Sequence, residues 1–142
     1  MKRKCKKYNL DDFLSIHPQF KHSSITLFID EGNYSEITEF LTKKTVFGKF
    51  LYKKRFNRIL YQIFNNRYDD TLYGPEEMSD KSKDITAMKF KNTGNIRLYC
   101  REFKKAGKKI VIICLHSKKV TTNDKRIKNI IESIAKYEYE FV

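Results

Sequence analysis

The chain has 142 residues, with 30 Lys or Arg against 17 Asp or Glu, a formal net charge of +13, and 14% aromatic residues with no Trp. That length holds one sizeable core rather than two, and a charge so far from zero points to a polyanionic partner, because clustered cations gain by displacing counterions from phosphate. No stretch approaches membrane-spanning length, and the start, MKRKCKKYNL, is basic without an apolar core, which excludes a membrane anchor and a secretory signal as readings of it.

In chain order, residues 1–22 read as a basic N-terminal extension, its start MKRKCKKYNL a disordered tail, ahead of a single domain spanning 23–142. Asp11 and Asp12 read as a solvated turn or helix start. His17 and His22 lie far from any carboxylate cluster at ligand spacing, so no metal or other cofactor is expected. Ser24 to Ile29, SITLFI, predicts a strand ended by the turn formers Asp30 to Asn33. Ser35 is then placed to cap a helix from Glu36 to Lys44. After a break at Val46 to Gly48, Tyr52, Phe56, Ile59, Leu60, Ile63 and Phe64 recur at helical spacing and predict a longer helix, Lys49 to Asn65. Its other side carries Lys49, Lys53, Lys54, Arg55 and Arg58, of which the last four are candidates for RNA contact.

Asn66 to Asp84 is polar and aperiodic and reads as a long connection. Asp69, Asp70, Glu76 and Glu77 form an acidic patch in it, a solvated loop feature that is also able to fold back on a basic face. A strand Ile85 to Lys91, a tight turn through Asn92 to Asn95, a second strand to Phe103 and a turn at Lys104 to Gly107 lead into KKIVIICLH. The unbroken apolar run Ile110 to Leu115 marks a central strand buried on both faces. From about Asn123 a final helix turns Ile127, Ile130, Ile131, Ile134 and Tyr137 inward, and Tyr139 and Phe141 close the chain. The order is strand, two helices, three strands, helix: an α+β fold with a small antiparallel sheet and helices packed on one face. Cys5, Cys100 and Cys114 have no paired spacing and read as free thiols, as in a reducing cytosol.

The segment Ile96 to Lys119 carries the most chemistry. Ile96, Leu98 and Cys100 alternate with Arg97, Tyr99, Arg101 and Phe103, which predicts burial of the first set and exposure of most of the second. Guanidinium groups bind phosphate bidentately and phenol rings stack on unpaired bases, so this face is suited to RNA. The charge excess is concentrated here: Ile85 to Lys119 holds ten Lys or Arg against one acid, Glu102, whereas Asn123 to Val142 carries four of each sign.

The element order and the segment ITAMKFKNTGNIRLYCREFKKAGKKIVIICLHSKK resemble the RelE/ParE superfamily of bacterial toxins, most closely its HigB-like, phage-derived branch. Ile96, Arg97, Leu98 and Tyr99 match the first strand pattern of that branch, and His116, Lys118 and Lys119 the basic end of the second. The Glu-Leu-Arg familiar on the preceding strand is replaced by Met88, Lys89 and Phe90. The resemblance implies a RelE-like fold and the toxin of a type II toxin-antitoxin system. Such a toxin is a cytoplasmic, ribosome-dependent mRNA endonuclease (an mRNA interferase) that inhibits translation and is neutralised by a cognate antitoxin of helix-turn-helix type. The partners implied are the ribosome, mRNA and that antitoxin, with no membrane. The implied mRNA face comprises Lys89, Lys91, Arg97, Tyr99, Arg101, His116, Lys118 and Lys119.

Metal-independent cleavage of RNA needs the 2′-OH deprotonated, the phosphorane charge stabilised and the 5′ oxygen protonated. Arg97 is the first candidate for phosphate stabilisation, with Lys118 or Lys119 beside it. His116 can exchange a proton near neutral pH and Tyr99 would position a base, while the resemblance, in which lysines act as bases, implies Lys89 and Lys91 as substitutes. The competing reading is a non-enzymatic inhibitor: a ParE-like gyrase binder or a basic RNA-binding module.

Overall fold

In a computed structural model of the chain the described residues are 2–67, 69–76, 84–90, 95–104, 106–117 and 124–141. They form β1 (Arg3–Lys7), α1 (Asp11–Ile16), β2 (Ile25–Asp30), α2 (Tyr34–Leu41), α3 (Lys53–Phe64), β3 (Tyr73–Pro75), β4 (Ile85–Phe90), β5 (Ile96–Phe103), β6 (Lys108–Ser117), α4 (Asp124–Ile134) and β7 (Tyr139–Glu140). The seven strands make one sheet in the order β3-β4-β5-β6-β2-β1-β7. The apolar run Ile110 to Leu115 therefore lies in the middle strand, as its composition requires.

The fold is mixed α and β, but the sheet is neither small nor purely antiparallel. β3, β4, β5 and β6 pair antiparallel in succession. The chain then uses β2 as the next neighbour of β6, and the two run parallel from Ile25 opposite Lys108 to Ile29 opposite Ile112. β1 is antiparallel to β2 and parallel to β7. Gly107 immediately precedes this register; its φ of +90° suits glycine and its missing side chain matters, since a Cβ there would lie 2.6 Å from the Ser24 carbonyl oxygen.

The expected disordered tail is instead a strand. RKCKK shows no apolar alternation, and only Cys5 of β1 is buried, yet Arg3 donates from Nε and Nη2 to the Asp30 carboxylate at 2.7 and 2.8 Å. That tertiary contact, rather than local propensity, holds β1 at its place beside β2. The long connection also contains structure: β3 adds an edge strand to β4, with Tyr73 opposite Met88. Ser35 is not a cap. It lies inside α2, and the capping acceptor is Asp30, which takes the Asn33 amide at 3.2 Å in the 3-10 turn before the helix. The helix expected over Lys49 to Asn65 starts only at Lys53, because residues 43–51 are occupied by a hairpin.

Helices cover both faces, correcting the one-sided packing expected. α2 and α3 bury Ile37, Phe40, Leu41, Phe56, Ile59, Leu60 and Ile63 against Met88, Phe90, Leu98, Cys100, Ile110 and Ile112. α4 lays Ile127, Ile131 and Ile134 on Ile85, Ala87, Tyr99, Val111 and Ile113 of the opposite face. The acid within β5, Glu102, is buried in a polar cluster in which Tyr73 donates to it, Thr86 donates to the Tyr73 hydroxyl at 2.8 Å, and the Lys108 ammonium lies 3.4 Å away. Among the described residues no helix is long and apolar enough to cross a membrane.

Candidate nucleic-acid interface

Antiparallel pairing of β4, β5 and β6 sets the chemistry of the α4-side face by register alone. Lys89 lies opposite Arg97, and Arg97 opposite His116, forming one cross-strand row. The next row is Gly74, Ala87, Tyr99 and Cys114. All three members of the first row are half-buried, and the sequence-predicted alternation correctly placed Arg97, Tyr99 and Arg101 on one side of β5.

The acidic patch of the connection does fold back, through Glu76. Its backbone N–H donates to the Ile85 carbonyl at 2.9 Å, which continues the β3 edge and brings its side chain to the row. Arg97 Nη1 donates to Glu76 Oε1 at 2.6 Å, and Lys89 Nζ is 3.5 Å from the same oxygen. Lys89 also donates to the Asp70 carbonyl at 2.7 Å. Two cations, one carboxylate and one imidazole thus share a single patch at the end of the sheet, with the Arg97 side chain 21% exposed. A preorganised cation pair of this kind suits an anionic phosphate, and the adjacent carboxylate and imidazole are groups able to move protons. Glu76 was visible in the sequence only as part of a loop patch; nothing in its neighbours marked it as the one that reaches Arg97.

Tyr99 does not serve as an open stacking platform. It is 0% exposed, because Ile127 and Ile131 of α4 cover its row, and burial together with the nearby Glu76 charge pushes its hydroxyl up to about 12. Its hydroxyl has no hydrogen-bond partner among the described residues. Tyr99→Phe is accordingly expected to leave the melting temperature unchanged or raised, since no bond is lost and an unsatisfied buried hydroxyl is removed. Thermal denaturation checks this: a melting temperature several degrees below wild type would show that the hydroxyl is bonded in the folded protein.

Arg101 is likewise committed elsewhere. Its Nη1 donates to the carbonyls of Ala135 and Tyr137 at 2.8 and 2.6 Å, so it ties down the chain leaving α4. The basic side of α3 belongs to the opposite sheet face from Arg97. There Arg55 donates to the carbonyls of Lys89 and Thr71 at 2.9 and 2.6 Å, fastening α3 to the β3–β4 edge, and Lys53 lies 4.6 Å above the Phe50 ring. Lys54 and Arg58 border a shallow cavity with His17 and Tyr61. Lys53, Lys54, Arg55 and Arg58 therefore do not extend the Arg97 row. Lys91, Lys118 and Lys119 lie outside the described residues.

Near the C-terminus, Tyr139 donates to Asp30 and the Arg3 guanidinium stacks 4.2 Å from the Tyr137 ring centre, so both tyrosines fasten the ends of the chain to the sheet. The three cysteines are free thiols. Burial pushes Cys114 up to about 12 and Cys5 up to about 11, leaving both protonated near neutral pH. Among the described residues no group of three His, Cys, Asp or Glu is arranged to hold a metal ion.

Compared with protein-family models, curated proteins and solved structures, the chain matches none.

Proposed function

We propose that the chain is a RelE-like toxin of the HigB type: a cytoplasmic, metal-independent mRNA endonuclease that acts on the translating ribosome and is held in check by a cognate antitoxin. The observation that carries this reading is the Lys89–Arg97–His116 row with Glu76 set into it. Within the longer element order, β2, α2, α3, β4, β5, β6 and α4 keep the sequence of strand, two helices, three strands and helix expected of such a toxin, with β3 inserted between α3 and β4 and β1, α1 and β7 added at the ends.

In this reading the scissile phosphate displaces Glu76 from Arg97 and takes the guanidinium, with Lys89 beside it. Once Glu76 has moved aside, charge that develops on the phosphorane is met by cations already in place on the sheet. Glu76, freed but adjacent, accepts the 2′-OH proton. His116, across the strand pair from Arg97, delivers a proton to the departing 5′ oxygen, and the products are a 2′,3′-cyclic phosphate and a 5′-hydroxyl.

Purified protein added to a reconstituted translation reaction is expected to produce discrete mRNA breaks, with 5′-hydroxyl ends, that require ribosomes. Intact transcripts together with inhibited DNA supercoiling by gyrase would replace this reading with the ParE-like one.

A further inference from the structure

Between α2 and α3 the chain leaves the core as a short hairpin. Lys44 pairs with Phe50, Thr45 N donates to the Lys49 carbonyl at 2.8 Å, and Leu51 N donates to the Lys43 carbonyl at 2.9 Å. The tip is closed by Gly48 at φ +76° and by the Thr45 hydroxyl, which accepts from the amides of Phe47 and Lys49, each at 3.3 Å. This internal bonding holds Val46 and Phe47 out into solvent, 96% and 87% exposed. Adjacent large apolar side chains held in water by an ordered turn mark a contact surface.

Every formal charge from Thr42 to Arg58 is positive: Lys43, Lys44, Lys49, Lys53, Lys54, Arg55 and Arg58. Such a surround selects a polyanion over a neutral or basic protein. The apolar groups standing fully in water are one flat ring and one valine, with Phe50 and Leu51 partly exposed at the base and the Phe50 ring covered by Lys44 and Lys53; that tip is the size of a nucleobase contact, whereas stable attachment to a bilayer takes a wider apolar face. The root of the hairpin is fixed in place. Tyr52 stacks on Phe40 with centroids 4.1 Å apart and meets Phe90 edge-on at 6.0 Å. Phe90 follows Lys89 in β4, so the hairpin stands at the end of the sheet that carries the Lys89–Arg97–His116 row, on the α3 side.

We infer that residues 43–50 form a stacking finger for single-stranded RNA, with the Phe47 ring on an unpaired base and Lys43, Lys44 and Lys49 on the flanking phosphates. The contact does not depend on cleavage at Arg97 and would lengthen the footprint of the protein on its RNA.

The chain contains no Trp, so Phe47→Trp gives the full-length protein one indole, at the tip of the finger. Titration with a single-stranded oligoribonucleotide carrying 2′-O-methyl groups, which prevent cleavage, is expected to quench that indole, while an RNA duplex of the same length leaves it bright. Phe47→Ala, harmless to folding at so exposed a position, is expected to weaken binding of the single strand about tenfold. The quench should persist when Arg97→Ala is added, so failure of the nuclease reading and failure of the finger give different results. An indole unchanged by the single strand, or quenched equally by the duplex, overturns the inference. So does a blue shift on vesicles of phosphatidylglycerol and phosphatidylcholine without an RNA quench, which would assign the finger to a bilayer surface.

Discussion

Under the proposed nuclease reading, replacing Arg97 by alanine is expected to lower mRNA cleavage by about 10²–10³-fold, the range for deleting one preorganised donor to a developing oxyanion. The side chain donates to Glu76 at 2.6 Å and lies on a strand whose other face packs Leu98 and Cys100 into the core. A partly exposed ion pair contributes about 0–1 kcal/mol to folding, so the melting temperature of the variant should stay within a few degrees of wild type. Arg97→Lys should recover only part of the rate, because an ammonium lacks the planar fork that grips a phosphate at two oxygens. Cleavage by Arg97→Ala at the wild-type rate would remove the row from the mechanism. Glu76→Gln distinguishes a proton acceptor from a mere counter-ion at the same site. Binding of RNA should tighten as a negative charge leaves the patch, while cleavage falls by about 10²–10⁴-fold with the loss of general-base catalysis. A counter-ion alone would give tighter binding and faster cleavage together.

Asp30→Ala is expected to destabilise the fold by about 1.5–3 kcal/mol, the range for hydrogen bonds to a charged group, because the buried Tyr139 hydroxyl loses its acceptor while the partly exposed Arg3 guanidinium can turn to water. Asp30 is 0% exposed at the end of β2 and accepts from Arg3 Nε and Nη2, from the Tyr139 hydroxyl and from the Asn33 amide. One carboxylate thereby joins β1, β2, β7 and the turn into α2. Burial by itself would raise its pKa, but the bonds from Arg3 and Tyr139 and the Arg3 charge outweigh it, and the net shift is downward. Because the folded value lies below the unfolded value of about 3.9, the stabilisation is complete above that range and is lost as the pH falls through the folded value. Urea midpoints measured at pH 7, 5 and 3 should therefore drop steeply at the last step for wild type and less steeply for Asp30→Asn. Parallel profiles, or an unchanged midpoint for Asp30→Ala at pH 7, would show that β1 and β7 contribute no measurable stability through this residue.

Much of the central sheet was legible from period alone. Ile85–Phe90, Ile96–Phe103 and the apolar Ile110 to Leu115 form the strands expected of them, and the face shared by Arg97, Tyr99 and Arg101 follows from a period of two. α3 was legible in its apolar stripe but not in its start, since Lys49 to Tyr52 suit a helix locally and are captured by the hairpin that Thr45 and Gly48 close. β1 was not legible at all, because its stabilising partner, Asp30, lies 27 residues away and its own composition is that of a solvated tail.

The amino-acid sequence by itself determined the mixed α and β class, the central strands and the concentration of cations upon them, because these depend on spacing and charge counted along the chain. Tertiary structure alone decided which of those cations stay in the row. α4 crosses the face that alternation left open, covering Tyr99 and drawing Arg101 to its C-terminal carbonyls, while the β3 edge carries Glu76 to Arg97. Periodicity states which side of a strand a residue occupies; whether that side meets water is settled by elements far away in sequence, whose apolar stripes and carboxylates find it only when the chain has folded.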